Sequence, residues 1–320
     1  MEGWLVETNF FADLGDVEWP FQLVLDAGGR PIGWSLINGP IVTEAQQARF
    51  AELRRAGYRF AGMSSYMTFP RLDPAESHAD HLDFEAVCEV WCHCFRDPDR
   101  YLSTAIPREL ISVSDFTDYQ RIAPERLARI DAGEGFDFIY AGAVESWKKE
   151  TKNWRLAGKL IPRLCREMGL RALVIGSADD EFPPSSMVTF SHPLPWPEML
   201  ARLALARFLF APNALDASPR LLAEALCLNV RLVVNRDILG GWKYVNRFTG
   251  VFFDGEGDVV AAARACLDRS LSPRDWFRAN YGPYLAGKRL LRLLKSVDSG
   301  ITERSHLLLD ERTANSLAQA

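Results

Sequence analysis

The stretch that decides the fold is Phe210-Ala-Pro-Asn213-Ala-Leu-Asp216-Ala217-Ser218-Pro219-Arg220-Leu-Leu-Ala-Glu224-Ala-Leu226. It opens on the end of an apolar run, residues 207–211 (RFLFA), which reads as a buried strand. A helix is expected over 219–227, with Ser218 as N-cap and Pro219 at the first helical position. The helix therefore starts where the strand has just ended. Its free amides and positive dipole end would point into the crevice beyond the carboxyl ends of the strands, where a doubly wound domain binds a phosphate-bearing ligand. Asp216 and Glu224 lie on either side of this helix start with seven residues between them. The plain alternative is a capped helix carrying two solvated acids.

Working outward, apolar runs at 136–142, 171–176, 187–190, 231–235 and 250–253 read as further strands. Helical spacing appears at 153–168, stopped by Gly169, and again at 197–206 and 258–267. Strands alternating with helices mean a parallel sheet with right-handed crossovers. The first half is noisier. Strands are expected at 21–26, 33–37, 58–63 and 110–113, with long loops between about 64 and 109. Residues 43–56 form an amphipathic helix with a capping box, Thr43 and Gln46. Residues 124–131 suggest a linking helix. A long helical stretch, 272–297, is interrupted at Gly282-Pro283. These patterns divide the chain into a first domain at 1–133, a second at 134–297, and a loosely held polar tail at 298–320.

Length and charge agree with two domains. The chain has 320 residues, 48% of them hydrophobic, beyond the ~250–300 at which a single core stops growing. Residues 1–135 hold 12 Arg, no Lys and 22 Asp or Glu, a net −10. Residues 136–320 hold 25 Lys or Arg and 20 acids, a net +5. The first lysine is Lys148, and four of the seven lie between 148 and 159. This split disfavours nucleic acid as partner or acceptor, which calls for a basic face, and suits a small anion held by the second half. No apolar run reaches ~18 residues, so no spanning helix is expected. The start, Met1-Glu2-Gly3-Trp4, lacks the basic and apolar regions of a secretory signal. Six cysteines are too sparse for a disulfide scaffold, so a reducing cytoplasm is expected. Composition leaves peripheral membrane contact open.

Two more stretches bear on the site. Gly142-Ala143-Val-Glu-Ser-Trp147-Lys148-Lys149-Glu-Thr151-Lys152-Asn153-Trp154-Arg155 follows the strand at 136–142, so it opens at the same sheet edge. A lysine or arginine placed there can bind a diphosphate and stabilise charge on a leaving group. The alternative is a solvated basic helix face. The third stretch, 232–244, ends in Gly240-Gly241-Trp242-Lys243-Tyr244, where two glycines allow a tight turn or a close backbone approach.

Taken together, the three stretches resemble the C-terminal domain of the GT-B glycosyltransferases, specifically the large retaining family 4. That domain carries a strand, a glycine, a basic residue about six positions on, and a helix. It continues with an acid, seven residues and a Glu-Ala-hydrophobic helix, then a buried strand, a Gly-Gly loop and a Thr-Gly. Here these are Gly142 and Lys148, Asp216, Glu224-Ala225-Leu226, 232–235, Gly240-Gly241 and Thr249-Gly250. Two positions depart from the pattern: Asp216 replaces the usual first glutamate, and Ala143 stands where an arginine often follows the glycine. The resemblance covers about 136–295.

The resemblance implies two Rossmann-like α/β domains facing across a cleft. It implies that Asp216, Lys148 and Glu224 carry the chemistry, with Glu224 on the donor's ribose hydroxyls and Asp216 near the sugar ring. It places Gly142, Lys152, Asn153, Arg155, Asn213, Ala217, Ser218, Pro219 and Arg220 around donor sugar and phosphate. The base would lie against 191–195, including His192, Pro193 and Leu194, and the stretch 272–297 would match the family's C-terminal helices, the last of which crosses back to the first domain. Transfer in this fold needs neither metal nor cofactor; the nucleotide sugar is a co-substrate.

The first half matches that family poorly. Its distinctive segment is Cys88-Glu-Val-Trp91-Cys92-His93-Cys94-Phe-Arg96-Asp97, followed later by Ser112-Val-Ser114-Asp115. Cys88, Cys92, Cys94 and His93, with His78 and His81 nearby, evoke zinc, but Cys-x3-Cys-x-Cys is not a usual zinc spacing and no second pair follows. Buried thiols fit better. His93, Arg96 and Asp115 are the candidate acceptor-side residues, with a helix cap as the alternative for Asp115. Of nine tryptophans, Trp147, Trp154 and Trp242 lie beside the donor loops.

The expected function is transfer of a hexosyl or pentosyl unit from a nucleotide sugar to an acceptor hydroxyl, with retention. A surface polysaccharide or glycolipid is the commonest acceptor class. The alternatives are a non-catalytic carbohydrate- or nucleotide-binding subunit of the same fold, a nucleotide-sugar epimerase, and a phosphorylase.

Overall fold

The computed structural model describes residues 19–72, 82–127, 134–142, 146–176, 182 and 185–310; the side chains of 126 and 146–148 fall outside that description. The first unit contains β1 (Phe21–Leu25), β2 (Pro31–Ile37), α1 (Glu44–Arg55), β3 (Arg59–Met63), α2 (Phe84–Val87), β4 (Val90–His93), β5 (Arg108–Leu110) and α3 (Pro124–Leu127). The second contains β6 (Phe138–Ala141), α4 (Ser146–Thr151), α5 (Trp154–Met168), β7 (Ala172–Ile175), β8 (Val188–Ser191), α6 (Trp196–Leu205) and β9 (Phe208–Ala211). It continues through α7 (Arg220–Cys227), β10 (Arg231–Asn235), β11 (Gly250–Phe253), α8 (Val259–Asp268) and α9 (Pro273–Asn280). The chain ends its described course with α10 (Pro283–Lys295) and β12 (Leu308–Leu309).

The second sheet runs β11-β10-β9-β6-β7-β8, all parallel. Four-residue apolar strands suit burial on both faces: β6, β7 and β9 are almost wholly buried. Phe138 and Phe208, paired in register between β6 and β9, stack with ring centroids 5.0 Å apart. From β6 the chain proceeds to β7 and β8 on one side, and from β9 to β10 and β11 on the other. The strand order therefore reverses between β6 and β9, the crevice where open α/β sheets bind ligands.

The first sheet runs β12-β1-β2-β3-β4-β5. It is parallel from β2 to β5, with antiparallel β1 and β12 at one edge. The capping box on α1 forms as expected: Thr43 Oγ1 accepts from the Gln46 amide and Gln46 Oε1 from the Thr43 amide. The expected strand at 110–113 lies earlier, at β5, and 113–116 closes instead into a 3₁₀ turn. Within the stretch 64–109, expected as long loops, residues 90–93 form a fully buried strand, β4.

The C-terminal segment corrects the expected tail. α10 turns back onto the first sheet, where Leu290, Leu291, Leu293 and Leu294 share one core cluster with Val24, Trp34 and Leu36. Leu308 and Leu309 pair with Leu25 and Val24 of β1. The stretch from 298 is thus anchored as far as Asp310, whose amide donates to the Leu23 carbonyl at 3.0 Å. Its polar composition hid a two-residue strand whose partner lies almost 300 positions away. The interruption at Gly282-Pro283 is the crossing point: α9 stays with the second unit and α10 belongs to the first.

Candidate functional site

The crevice between β6 and β9 collects side chains from three connections. After α4 comes Lys152, whose ammonium pairs with the Asp216 carboxylate. The Lys152 carbonyl accepts from the Tyr140 hydroxyl at 3.1 Å, which fixes this segment against β6. After β9 comes Asn213, 6% exposed, whose amide donates to Asp216 Oδ2 at 2.7 Å. Asp216 thus holds a cation and an amide at the rim of the switch point, partly open to solvent. Gly142 ends β6 against the Trp154 ring. Asn153 stands at the cap position of α5 in the left-handed conformation, φ 55°, and its side chain does not cap the helix.

The Gly-Gly loop is fitted onto the Asp216 loop. The Gly240 amide donates to the Asp216 carbonyl at 2.9 Å, and the Leu239 amide to Ala214 at 2.8 Å. A Cβ on residue 240 would lie 1.7 Å from the Ala217 carbonyl oxygen, so only glycine permits this approach.

Glu224 lies one connection deeper, 3% exposed on the buried helix α7. Its Oε1 accepts from the Trp196 indole N–H at 2.9 Å. Burial pushes its carboxyl up, opposed by the nearby Arg220 charge, the indole hydrogen bond and Lys152. Lys152 therefore influences both acids. Trp196 carried no signal in the sequence, since an isolated aromatic at a helix start reads as packing.

Several expectations need correction. Ser218 does not cap α7; the cap position is Pro219, whose carbonyl accepts the first helical amide, that of Leu222 at 3.1 Å. The Ser218 hydroxyl instead accepts the Ser114 amide across the interface at 3.2 Å. Ala217 is 2% exposed, packed in the first unit's core cluster with Trp91, Cys94 and Phe95. Arg155 stands exposed on α5, and Arg220 is half-buried at the start of α7. His192 and Pro193 are exposed after β8, and Leu194 packs on the second unit's core. Lys148 lies in α4, but its side chain falls outside the described residues.

Two acceptor-side candidates are enclosed rather than open. Asp115 is 0% exposed. It accepts the Ser112 amide at 3.1 Å and pairs with Lys243 at 2.7 Å. It also accepts from the Tyr244 hydroxyl. The alternative of a cap is met in altered form: Ser112 is the cap residue of the turn 113–116, and Asp115 is the reciprocal member of its capping box. His93 is 7% exposed, its ring stacked on Phe95, and among the described residues its Nδ1 has no hydrogen-bond partner. Burial, with Lys243 and Arg108 nearby, lowers its pKa to about 4. Arg96 is exposed and lies over the Trp242 ring at 5.4 Å. Trp242 donates to the Cys94 carbonyl at 2.8 Å.

Trp242, Lys243 and Tyr244 each bond to the first unit, so the loop that fits onto Asp216 is itself tied across the interface. The thiols of Cys88, Cys92 and Cys94 are buried and pushed up by that burial. His78 and His81 lie outside the described residues. Among the described residues, no group of three or more His, Cys, Asp or Glu is placed to hold a metal, and no helix is long and apolar enough to cross a membrane.

No sequence-family profile matches the chain, and no curated protein sequence matches it. Solved structures do. AviGT4, a glycosyltransferase involved in avilamycin A biosynthesis, is 16% identical at a TM-score of 0.54, over 79% of this chain and 71% of its own. Anabaena HepE in complex with UDP-glucose is 9% identical at a TM-score of 0.57, over 80% and 77%. The Methanocaldococcus jannaschii UDP-GlcNAc 2-epimerase in complex with UDP-GlcNAc and UDP is 11% identical at a TM-score of 0.51, over 82% and 75%. At these identities the likeness is one of fold. The fold is the GT-B arrangement of two Rossmann-like α/β units, as the sequence led us to expect.

Proposed function

We propose that the protein is a glycosyltransferase that takes a sugar from a nucleotide-sugar donor. One observation carries the reading: Lys152, Asn213 and Asp216 converge at the switch point of the second sheet, with Glu224 buried behind them. Such a site offers a cation for a diphosphate and carboxylates for sugar hydroxyls. In the reading, Lys152 leaves Asp216 to meet the diphosphate. The backbone of 217–220 and Gly142 approach donor sugar and phosphate, and Glu224 takes the ribose hydroxyls. The bond from the sugar's C1 to the diphosphate oxygen breaks, a bond from C1 to the acceptor oxygen forms, and the hydroxyl proton leaves with the nucleoside diphosphate. Retention, a polysaccharide or glycolipid acceptor, and independence from metal belong to the same proposal.

The test is a thermal-shift screen of UDP-, GDP- and ADP-sugars, followed by calorimetry with the matching diphosphate. A stabilising donor at 100 Kd raises stability by about 2.7 kcal/mol. Glu224→Ala should abolish that shift. No binding by the wild type, or an unchanged shift in the variant, overturns the reading.

A second reading, nucleotide-sugar epimerisation, is favoured by one observation: Asp115 and His93, the residues expected to serve an acceptor, are enclosed. The epimerase among the structural neighbours is consistent with it. An epimerase converts the donor without any acceptor; a transferase releases free diphosphate in step with acceptor glycosylation.

A further inference from the structure

We propose that Trp196 is a positioning residue of this site: its indole N–H fixes the Glu224 carboxylate by one oxygen and leaves the other for a ligand's vicinal hydroxyls. The inference rests on the nucleotide-sugar reading above. Trp196 is the first residue of α6 and Glu224 sits in the body of α7, so two separate elements set the geometry. The contact is 2.9 Å, from Nε1 to Oε1. Among the described residues, the indole is the one hydrogen-bond donor to this carboxylate, and Oε2 accepts from none of them. The ring is held in turn. It packs on the second unit's core with Leu194 and Met199, and the Arg121 guanidinium lies 5.6 Å over its face.

The physical need is plain. To bind two hydroxyls a carboxylate must be an acceptor only, hence ionised. Glu224 is buried, which favours the neutral acid. Against that stand the indole N–H from α6, Arg220 on α7 and Lys152 from the segment before α5; the Cys227 thiol, on the same helix, also lies close. Arg220 and Lys152 act as charges without fixing the carboxylate's rotation. The indole N–H bonds one oxygen directly.

The experiment is calorimetry of UDP, GDP and ADP against wild type, Trp196→Phe, Glu224→Gln and the double variant, over roughly pH 5 to 8. Phenylalanine keeps most of the packing and removes the donor. Loss of a hydrogen bond to a charged group predicts binding about tenfold weaker in Trp196→Phe. The weakening should grow as pH falls, because Glu224 then protonates at a higher pH than in the wild type. In the Glu224→Gln background, where the amide oxygen still accepts the indole N–H but nothing titrates, the same substitution should weaken binding less, since the lost bond is to a neutral group, and lose its pH dependence. Equal weakening in both backgrounds and at every pH means that Trp196 acts by packing alone, and overturns the inference. Unchanged binding in Trp196→Phe overturns it too and spares the nucleotide-sugar reading. No binding by the wild type overturns both. Should Trp196→Phe melt well below the wild type, Trp196→His, which keeps a ring N–H, takes its place: binding stronger than in Trp196→Ala supports the inference, and equal binding refutes it.

Discussion

Asp115 shows how one residue can tie the two units together. Its carboxylate is 0% exposed and its partner Lys243 only 5%. Its own carbonyl accepts the Gly282 amide at 2.9 Å, where the chain crosses between units. Removing one member of a buried pair strands the other charge and costs about 3–5 kcal/mol. Asp115→Ala and Lys243→Ala should each lose stability of that order in urea unfolding, and the double variant should lose less than their sum.

His93 gives a pH signature at the same scale. Its pKa is lowered to about 4, so between that value and its ordinary 6.5 the unfolded chain binds a proton that the folded one refuses. The stabilisation is complete above pH 6.5 and fades as pH falls toward 4, by up to about 3 kcal/mol. His93→Phe should flatten that limb of the stability curve.

At the scale of elements, the second unit was legible because its short apolar strands are punctuated by Gly and Pro. The strands β6, β7, β9, β10 and β11 fall where period and breakers place them, as do α5, α6 and α8. What the pattern could not supply was partnership. The leucines of α10 have helical spacing, which shows that one face is buried; that the first domain buries it was implied by the family resemblance, not by the spacing. Ser218 had the right residue type for a cap, yet its hydroxyl found Ser114, a hundred positions away. Of the site, Asp216, Lys152 and Asn213 were readable from their place after two strands. Trp196 was not, because its role depends on a carboxylate in another helix.

The Gly-Gly loop gives the prediction proper to this scale. Gly240→Ala must push the loop off the Ala217 carbonyl and, with it, shift Asp216. The forced overpacking should cost about 1–3 kcal/mol in thermal unfolding. Diphosphate binding should weaken more than in an equally destabilised variant remote from the crevice.

For the whole molecule, the net charges of the two halves misdescribe the two units. The acidic stretch 1–135 is joined by 283–310, whose five basic residues (Lys288, Arg289, Arg292, Lys295 and Arg304) and three acids (Asp298, Glu303 and Asp310) bring a net +2 to the first sheet's side. Arg292 pairs there with Glu109 at 2.8 Å. A chain truncated after residue 305 would lose β12 and bare the edge of β1. It should melt lower than the full chain and associate through that edge, as light scattering would record.

The same return sets an order of assembly. The second sheet is drawn from one unbroken segment, so all its strands are synthesised before α10. The first sheet has its opening strands made at the start, yet lacks one edge and one covering helix until α10 and β12 emerge. During synthesis the later-made unit can close first, and the earlier-made one must wait for it.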